Sequence, residues 1–216
     1  LNEYIENKEW FRCEIVKAVA AIREAAGNSI ILYELIKFPF DANAITYTDA
    51  NEQFNLGLKY ENEKNYEKAV YWYTKAAEKG DADAQNSVGV AYYKGNGIEQ
   101  NYEEAVYWYA KSAEQGNAHA QYNLGLAYAS GNGVEQNYEQ EVYWYTKAAE
   151  QGHADAQFNL GFANDVEQNY EQAIYWYTKA AEQGHADAQF NLGCVYANGS
   201  GVEKDLKQTV YWYTKA

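Results

Sequence analysis

Residues 118–128 place apolar and small side chains at helical spacing and predict a first helix, which ends where Gly131 and Gly133 interrupt the pattern. A second helix is predicted from about Tyr138 to Glu150, with Gly152 placed to supply a left-handed stop. The same pair returns along the chain. Anchored on Leu-Gly and Tyr-Trp-Tyr, the pattern gives five copies, 50–80, 81–116, 117–152, 153–184 and 185–216, and those beginning at Asp81 and Asn117 start 36 residues apart. A period in this range predicts helix-turn-helix units, each too small to bury its own apolar face and stable only when stacked on its neighbours. The expected fold class is therefore all-α. In the first copy Ala69, Tyr73, Ala76 and Ala77 fall on one helical stripe. A large aromatic beside small alanines is the interlocking that lets such pairs stack.

The copies differ in one spacing. From the first-helix glycine to the position filled by Ala69, the distance is 12 residues in the first copy (Gly57) and in the fourth (Gly161 to Ala173). In the others it is 16, namely Gly89 to Ala105, Gly125 to Glu141 and Gly193 to Thr209. Shorter first helices or tighter turns are expected at 59–66 and 162–170. Glu141 stands where other copies place the close-packing alanine. A carboxylate buried there without a partner would cost several kcal/mol, so its helix should shift or its head group should reach solvent. Drift in a duplicate and a functional carboxylate both stay open as readings of it.

Residues 1–48 lie outside the clear copies. Phe11, Ile15, Val19, Ile22 and Ala26 recur at helical intervals before Gly27, and Ile31, Leu32, Leu35 and Ile36 do so before Pro39. They predict an N-terminal helical cap. Ala216 falls inside the fifth second helix, which predicts an uncapped end and end-to-end association or a longer native chain. The chain starts at Leu1 and contains no Met, so a removed leader stays open, as does the choice of a periplasmic, secreted or cytoplasmic location.

Composition sharpens this picture. Tyr-Trp-Tyr, ending at Tyr73, Tyr109, Tyr145, Tyr177 and Tyr213, accounts for five of the six tryptophans. The net charge of -14 argues against nucleic acid, which is gripped by clustered Lys and Arg. From 81 to 188 only Lys94, Lys111, Lys147 and Lys179 oppose the acidic residues, so a charge-guided partner should be basic and should meet the middle of the array. Cys13 and Cys194 form no paired pattern and read as small hydrophobes rather than a disulfide or zinc framework. No apolar run reaches the ~18 residues of a membrane span.

Catalytic and cofactor signatures fail. No Ser is followed three residues later by Lys, no Gly-Lys pair exists for a phosphate loop, and no His-Glu-Xaa-Xaa-His occurs. His153 and His185 open consecutive copies and read as a duplication ladder rather than a metal site, which needs three or four ligands in one shell. The Gly-Asn-Gly segments at Gly95 and Gly131 read as turns with positive φ. Asn198-Gly199-Ser200 fits a glycosylation acceptor, which matters only in a eukaryotic secretory setting.

The Ala-Asp-Ala-Gln-Phe-Asn-Leu-Gly run, the Gly-Asn-Gly-Val loop and the Ala-Val-Tyr-Trp-Tyr-Thr-Lys-Ala-Ala-Glu helix resemble Sel1-like repeats, relatives of tetratricopeptide repeats, over residues 50–216. The shorter spacing matches tetratricopeptide repeats. The resemblance implies an α/α superhelical solenoid whose first helices line a concave face, in proteins that serve as adaptors, scaffolds or signalling partners. It also raises a bacterial immunity or secretion-system role and, from cysteine-rich relatives, a β-lactam-interacting hydrolase; the sequence is read as a non-enzyme.

On that geometry the groove positions lie three before, one after and four after the first-helix glycine. They are Phe54, Leu58 and Glu61, then Asn86, Val90 and Tyr93, then Tyr122, Leu126 and Ala129, then Phe158 and Phe162, and finally Phe190, Cys194 and Ala197, with His119 on the rim. This is an aromatic trough with acidic edges, suited to a peptide with apolar anchors and basic flanks. Packing of the same aromatics between copies is the alternative. Tyr71, Tyr107, Tyr143, Tyr175 and Tyr211, each followed at i+4 by Lys, predict an outward row, read either as rings under lysine stems or as a second binding stripe.

Overall fold

The computed structural model describes residues 49–216; the helical cap expected over 1–48 lies outside them. The described residues form ten α-helices and no strand. In chain order these are α1 (Ala50–Asn62), α2 (Tyr66–Glu78), α3 (Ala82–Lys94), α4 (Tyr102–Glu114), α5 (Ala118–Ser130), α6 (Tyr138–Glu150), α7 (Ala154–Val166), α8 (Tyr170–Glu182), α9 (Ala186–Asn198) and α10 (Leu206–Lys215). Odd-numbered helices are the first of each pair, even-numbered the second, and each helix packs on the one before and the one after it.

Local chemistry sets the boundaries. Asp81 and Asn117 accept the N–H of Ala84 and Ala120 at 2.8 and 2.9 Å, and Asn101 and Asn137 cap α4 and α6 in the same way. Such a cap contributes ~1 kcal/mol. Helices α3, α5 and α9 stop at left-handed glycines, Gly95, Gly131 and Gly199.

Of the two outcomes expected for the short copies, the tighter turn is the one found. Helices α1 and α7 have 13 residues, as many as α3, α5 and α9, so no first helix is shortened. The whole difference lies in the turns: 63–65 and 167–169 replace the seven-residue connections 95–101, 131–137 and 199–205. Lys64 and Gln168 take φ of 58° and 62°, and the following amides, Asn65 and Asn169, donate to the carbonyls of Tyr60 and Asn164 at 2.8 Å. A left-handed residue thus reverses the chain without a longer loop, at ~1–2 kcal/mol for a side-chain-bearing residue.

The core is a ladder of rings on glycines. Tyr73, Tyr109, Tyr145, Tyr177 and Tyr213 lie against Gly57, Gly89, Gly125, Gly161 and Gly193, and a methyl group at Gly89 or Gly125 would stand 2.6 Å from the ring. Around each ring sit the alanines: Ala69, Ala76 and Ala77 of α2 bury with Ala84 and Val88 of α3, and Trp108 of α4 packs on the outside of that cluster. The set recurs at the later junctions, with Ser112 standing where Ala76 does and Glu141 where Ala69 does.

A buried amide joins consecutive copies. Gln85, Gln121, Gln157 and Gln189 are each buried and donate Nε2 to Ala77, Ala113, Ala149 and Ala181 carbonyls at 2.9–3.2 Å. Their Oε1 atoms at 85, 121 and 157 accept from Gln115, Gln151 and Gln183, each at 2.7 Å. The last-turn carbonyls of one copy's second helix are thereby satisfied by the next copy, where an unmade bond would cost ~1–3 kcal/mol.

Candidate functional site

The first helices of adjacent copies lie side by side. Asn123 of α5 donates to Asn86 of α3 at 3.0 Å, and Asn117 donates to Asp83 at 2.7 Å. The expected groove residues are carried by these first helices, and their positions differ in exposure.

In the row one residue past the glycine, Leu58, Leu126 and Phe162 are exposed while Val90 and Cys194 are half-buried. Val90 packs on the Tyr109 cluster, and the Sγ of Cys194 accepts from the Tyr213 hydroxyl at 3.3 Å. Three residues before the glycine, Phe54, Asn86, Tyr122 and Phe158 are half-buried. Tyr122 stacks on His153 with centroids 4.6 Å apart and Phe158 on His185 at 4.7 Å. These rings pack between copies, and only part of each remains accessible. Phe190 is exposed, with its ring 5.5 Å from that of Tyr213. Tyr93 is exposed and leans on Tyr102 at 5.2 Å.

His119 is exposed, and its Nδ1 lies 3.1 Å from Nε2 of His153. His153 caps α7: its Nδ1 accepts the Ala156 amide at 3.4 Å. That bond leaves the proton on Nε2, pointed at His119. Burial and the neighbouring His119 pull the His153 pKa below its ordinary value, against the raising effect of Asp155. His185 caps α9 likewise and turns Nε2 to Asp155 at 3.2 Å. The ladder therefore pairs His119 with His153 and Asp155 with His185. Among the described residues no group of three or more His, Cys, Asp or Glu side chains is arranged to hold a metal.

The second helices carry the tyrosine row. Tyr71, Tyr107, Tyr143, Tyr175 and Tyr211 are exposed, with Lys75, Lys111, Lys147, Lys179 and Lys215 at 4.6–5.9 Å from the ring centres. An open depression of about 650 Å³ lies there between the first two copies, lined by Gln85, Tyr107, Trp108, Lys111 and Gln115 among others. Each of these rings carries a cation, and within residues 112–178 that cation, Lys147 over Tyr143, is the one Lys or Arg.

Sequence reasoning passed over the glutamine latch, although the signal is present: a Gln follows Ala-Xaa-Ala in copies two to five. It also left Glu141 undecided. Helix α6 has the same length as α4, and Glu141 is half-buried with its carboxyl pushed up by burial.

Repeated helix pairs joined by ring-on-glycine contacts define an α/α solenoid of short repeats. The Sel1 repeat model matches residues 53–81, 82–117, 118–153, 154–185 and 186–216, and the chain belongs to the Sel1 repeat family. Members of this repeat class commonly serve as protein-interaction scaffolds. Among solved structures, the chain is similar to c5321, a protective antigen of uropathogenic Escherichia coli strains, with 36% identity and TM-score 0.73 over 80% of this chain and 39% of that one. It is similar also to a Sel1 repeat protein of Oxalobacter formigenes, with 40% identity and TM-score 0.71 over 76% of this chain and 66% of that one. The chain thus spans 39% and 66% of these two relatives. YrrB, a tetratricopeptide protein with an unusual peptide-binding site, is 25% identical with TM-score 0.54, over 81% of this chain and 90% of its own. No curated protein matches the chain. Among the described residues no helix is long and apolar enough to cross a membrane.

Proposed function

We propose that the array is a scaffold that holds a segment of another protein along the face of its first helices. The observation that carries this reading is the exposed apolar side chain at one position of three first helices, Leu58 of α1, Leu126 of α5 and Phe162 of α7, with the half-buried Val90 of α3 between the first two and the exposed Phe190 on α9. Scattered exposed apolar residues are ordinary, but a row repeated at the spacing of the copies forms a stripe, and such a stripe is a contact surface. The half-buried Tyr122 and Phe158 supply ring edges beside it. With a single Lys or Arg between 112 and 178, the segment held is basic or carries basic flanks. The peptide-binding site of YrrB offers a precedent within the fold.

The test uses exposed positions, so that stacking is spared. Leu58→Ser combined with Leu126→Ser should leave helical content and the thermal midpoint unchanged while removing proteins that the unaltered chain retains in affinity capture from its host. Identical captured proteins for both chains would move the contact surface off the first helices.

A further inference from the structure

The loops of this array complete the copy before them. The second glycine of each seven-residue connection, Gly97, Gly133 and Gly201, rests on Tyr66, Tyr102 and Tyr170, the opening residues of α2, α4 and α8. The fourth copy has only the three-residue turn 167–169, so no such loop lies on Tyr138, which opens α6. Tyr138 is 52% exposed, against 38% for Tyr66 and 37% for Tyr102.

Three further features coincide at this seam. Glu141 is one turn into α6, where the other copies have the buried Ala69, Ala105, Ala173 and Thr209. The one carboxylate at this position thus falls where the following loop is missing. Second, the Tyr138 hydroxyl donates to Glu167 Oε1 at 2.7 Å across the gap. That bond, with burial and the charges of Glu167 and Glu141, pushes the phenol up to about 12, which places both carboxylates within electrostatic reach of one hydroxyl. Third, Val166 is the sequence counterpart of Ile98, Val134 and Val202, which are half-buried in the longer loops; drawn into the last turn of α7 it is 67% exposed, one turn from Phe162 at 55%. Among the described residues no cation pairs with Glu141 or Glu167, and Lys147, at the far end of α6, lies over the Tyr143 ring.

We propose that this notch between the third and fourth copies is the specificity-determining subsite of the groove, seating an apolar side chain of a peptide segment on Phe162 and Val166 and a neighbouring Lys or Arg on Glu141 and Glu167. The inference rests on the scaffold reading above and adds to it a location and a required cation. An apolar lip beside two carboxylates without a counter-ion matches that pairing and rejects acidic segments by like charge. A partly sheltered carboxylate also gains more from a cation than a fully exposed one does.

A random dodecapeptide library displayed on phage, selected on the whole chain, provides the probe. Enriched peptides should carry Leu, Ile or Phe close to Lys or Arg. A selected peptide made synthetically should bind about tenfold more weakly to Glu141→Ala combined with Glu167→Gln, and to Val166→Ser, by fluorescence anisotropy. The loss from the double charge variant should shrink as salt rises. Grafting residues 128–133 in place of 164–165, which restores a loop to the notch, should block binding; because the graft has to fold, the point variants carry the decision. Enriched peptides without a basic residue, or unchanged binding by both point variants, would overturn the subsite. If those peptides nonetheless lose affinity for Leu58→Ser with Leu126→Ser, the groove stands and only the notch falls. If the chain enriches no peptide, both are overturned.

Discussion

Two seams of the array use one core and differ at their edges. Between the second and third copies, Gly133 covers the start of α4, Ala105 is buried beneath, and Asn117 meets Asp83 at the other end. Between the third and fourth copies the loop is missing, Glu141 replaces the alanine, and His153 meets His119. The rings on Gly125 and Gly161 and the glutamine latches are alike at both. The contrast separates what stacking demands from what it tolerates: the ring, the glycine, the alanines and the amide repeat, whereas the rim at each end of α7 is free to carry other chemistry.

The largest effect comes from exchanging the residues one turn into α4 and α6. Ala105→Glu should lose ~3 kcal/mol or more, because the loop above it seals a carboxylate into an apolar site. Glu141→Ala should gain ~1 kcal/mol at neutral pH. The sign follows from burial: the carboxyl is pushed up in the folded chain, so its charged form is disfavoured there and the gain should fade as pH drops toward 4 to 5, about where carboxyls protonate. Urea midpoints of the two variants check both, and an equal loss from each would erase the distinction between the seams.

A smaller effect concerns the turns. Gln168→Gly should stabilise by ~0.5 kcal/mol, since the left-handed φ of 62° then costs nothing sterically, and Gly131→Gln, at φ 75°, should destabilise by ~1 kcal/mol. Thermal midpoints of the pair would show it.

The smallest effect is a slope. His153 has a lowered pKa when folded, so the unfolded chain takes up the proton first as pH falls. Stability from this group is complete above about pH 6.5 and declines below it. Protonation also removes the Nδ1 acceptor that caps α7. His153→Asn keeps a capping oxygen and should flatten the dependence between about pH 7.5 and 5.5, which hydrogen exchange at the Ala156 amide can resolve. An unaltered slope would take the histidine pair out of the account.

Much of this was legible in the sequence because near-duplicate copies repeat their own constraints. Tyr145 and Gly125 recur together in every copy, and a glycine kept inside a helix marks the place where a large ring leaves no room for a side chain. What escaped was whatever depends on the register between copies. Gln121 looks like a surface residue until the Ala113 carbonyl is seen above it. His153 has His185 as its sequence equivalent, while its spatial neighbour is His119, 34 residues away. The groove rings show the same dependence: Tyr122 is carried by a first helix, and the cap residue of the next copy, His153, stacks on one side of it. Glu141 could be interpreted only once the loop of one copy was known to land on the helix of the previous one.

That landing gives the array a direction. A hairpin connection that props up its predecessor cannot be lengthened, trimmed or lost as a private matter, because the first place to register the change is upstream of the edit. A gene that grows by duplicating such units acquires, with every slip in loop length, an altered surface in the unit already laid down before it, and so a ready supply of new recognition patches while the spine stays as it was.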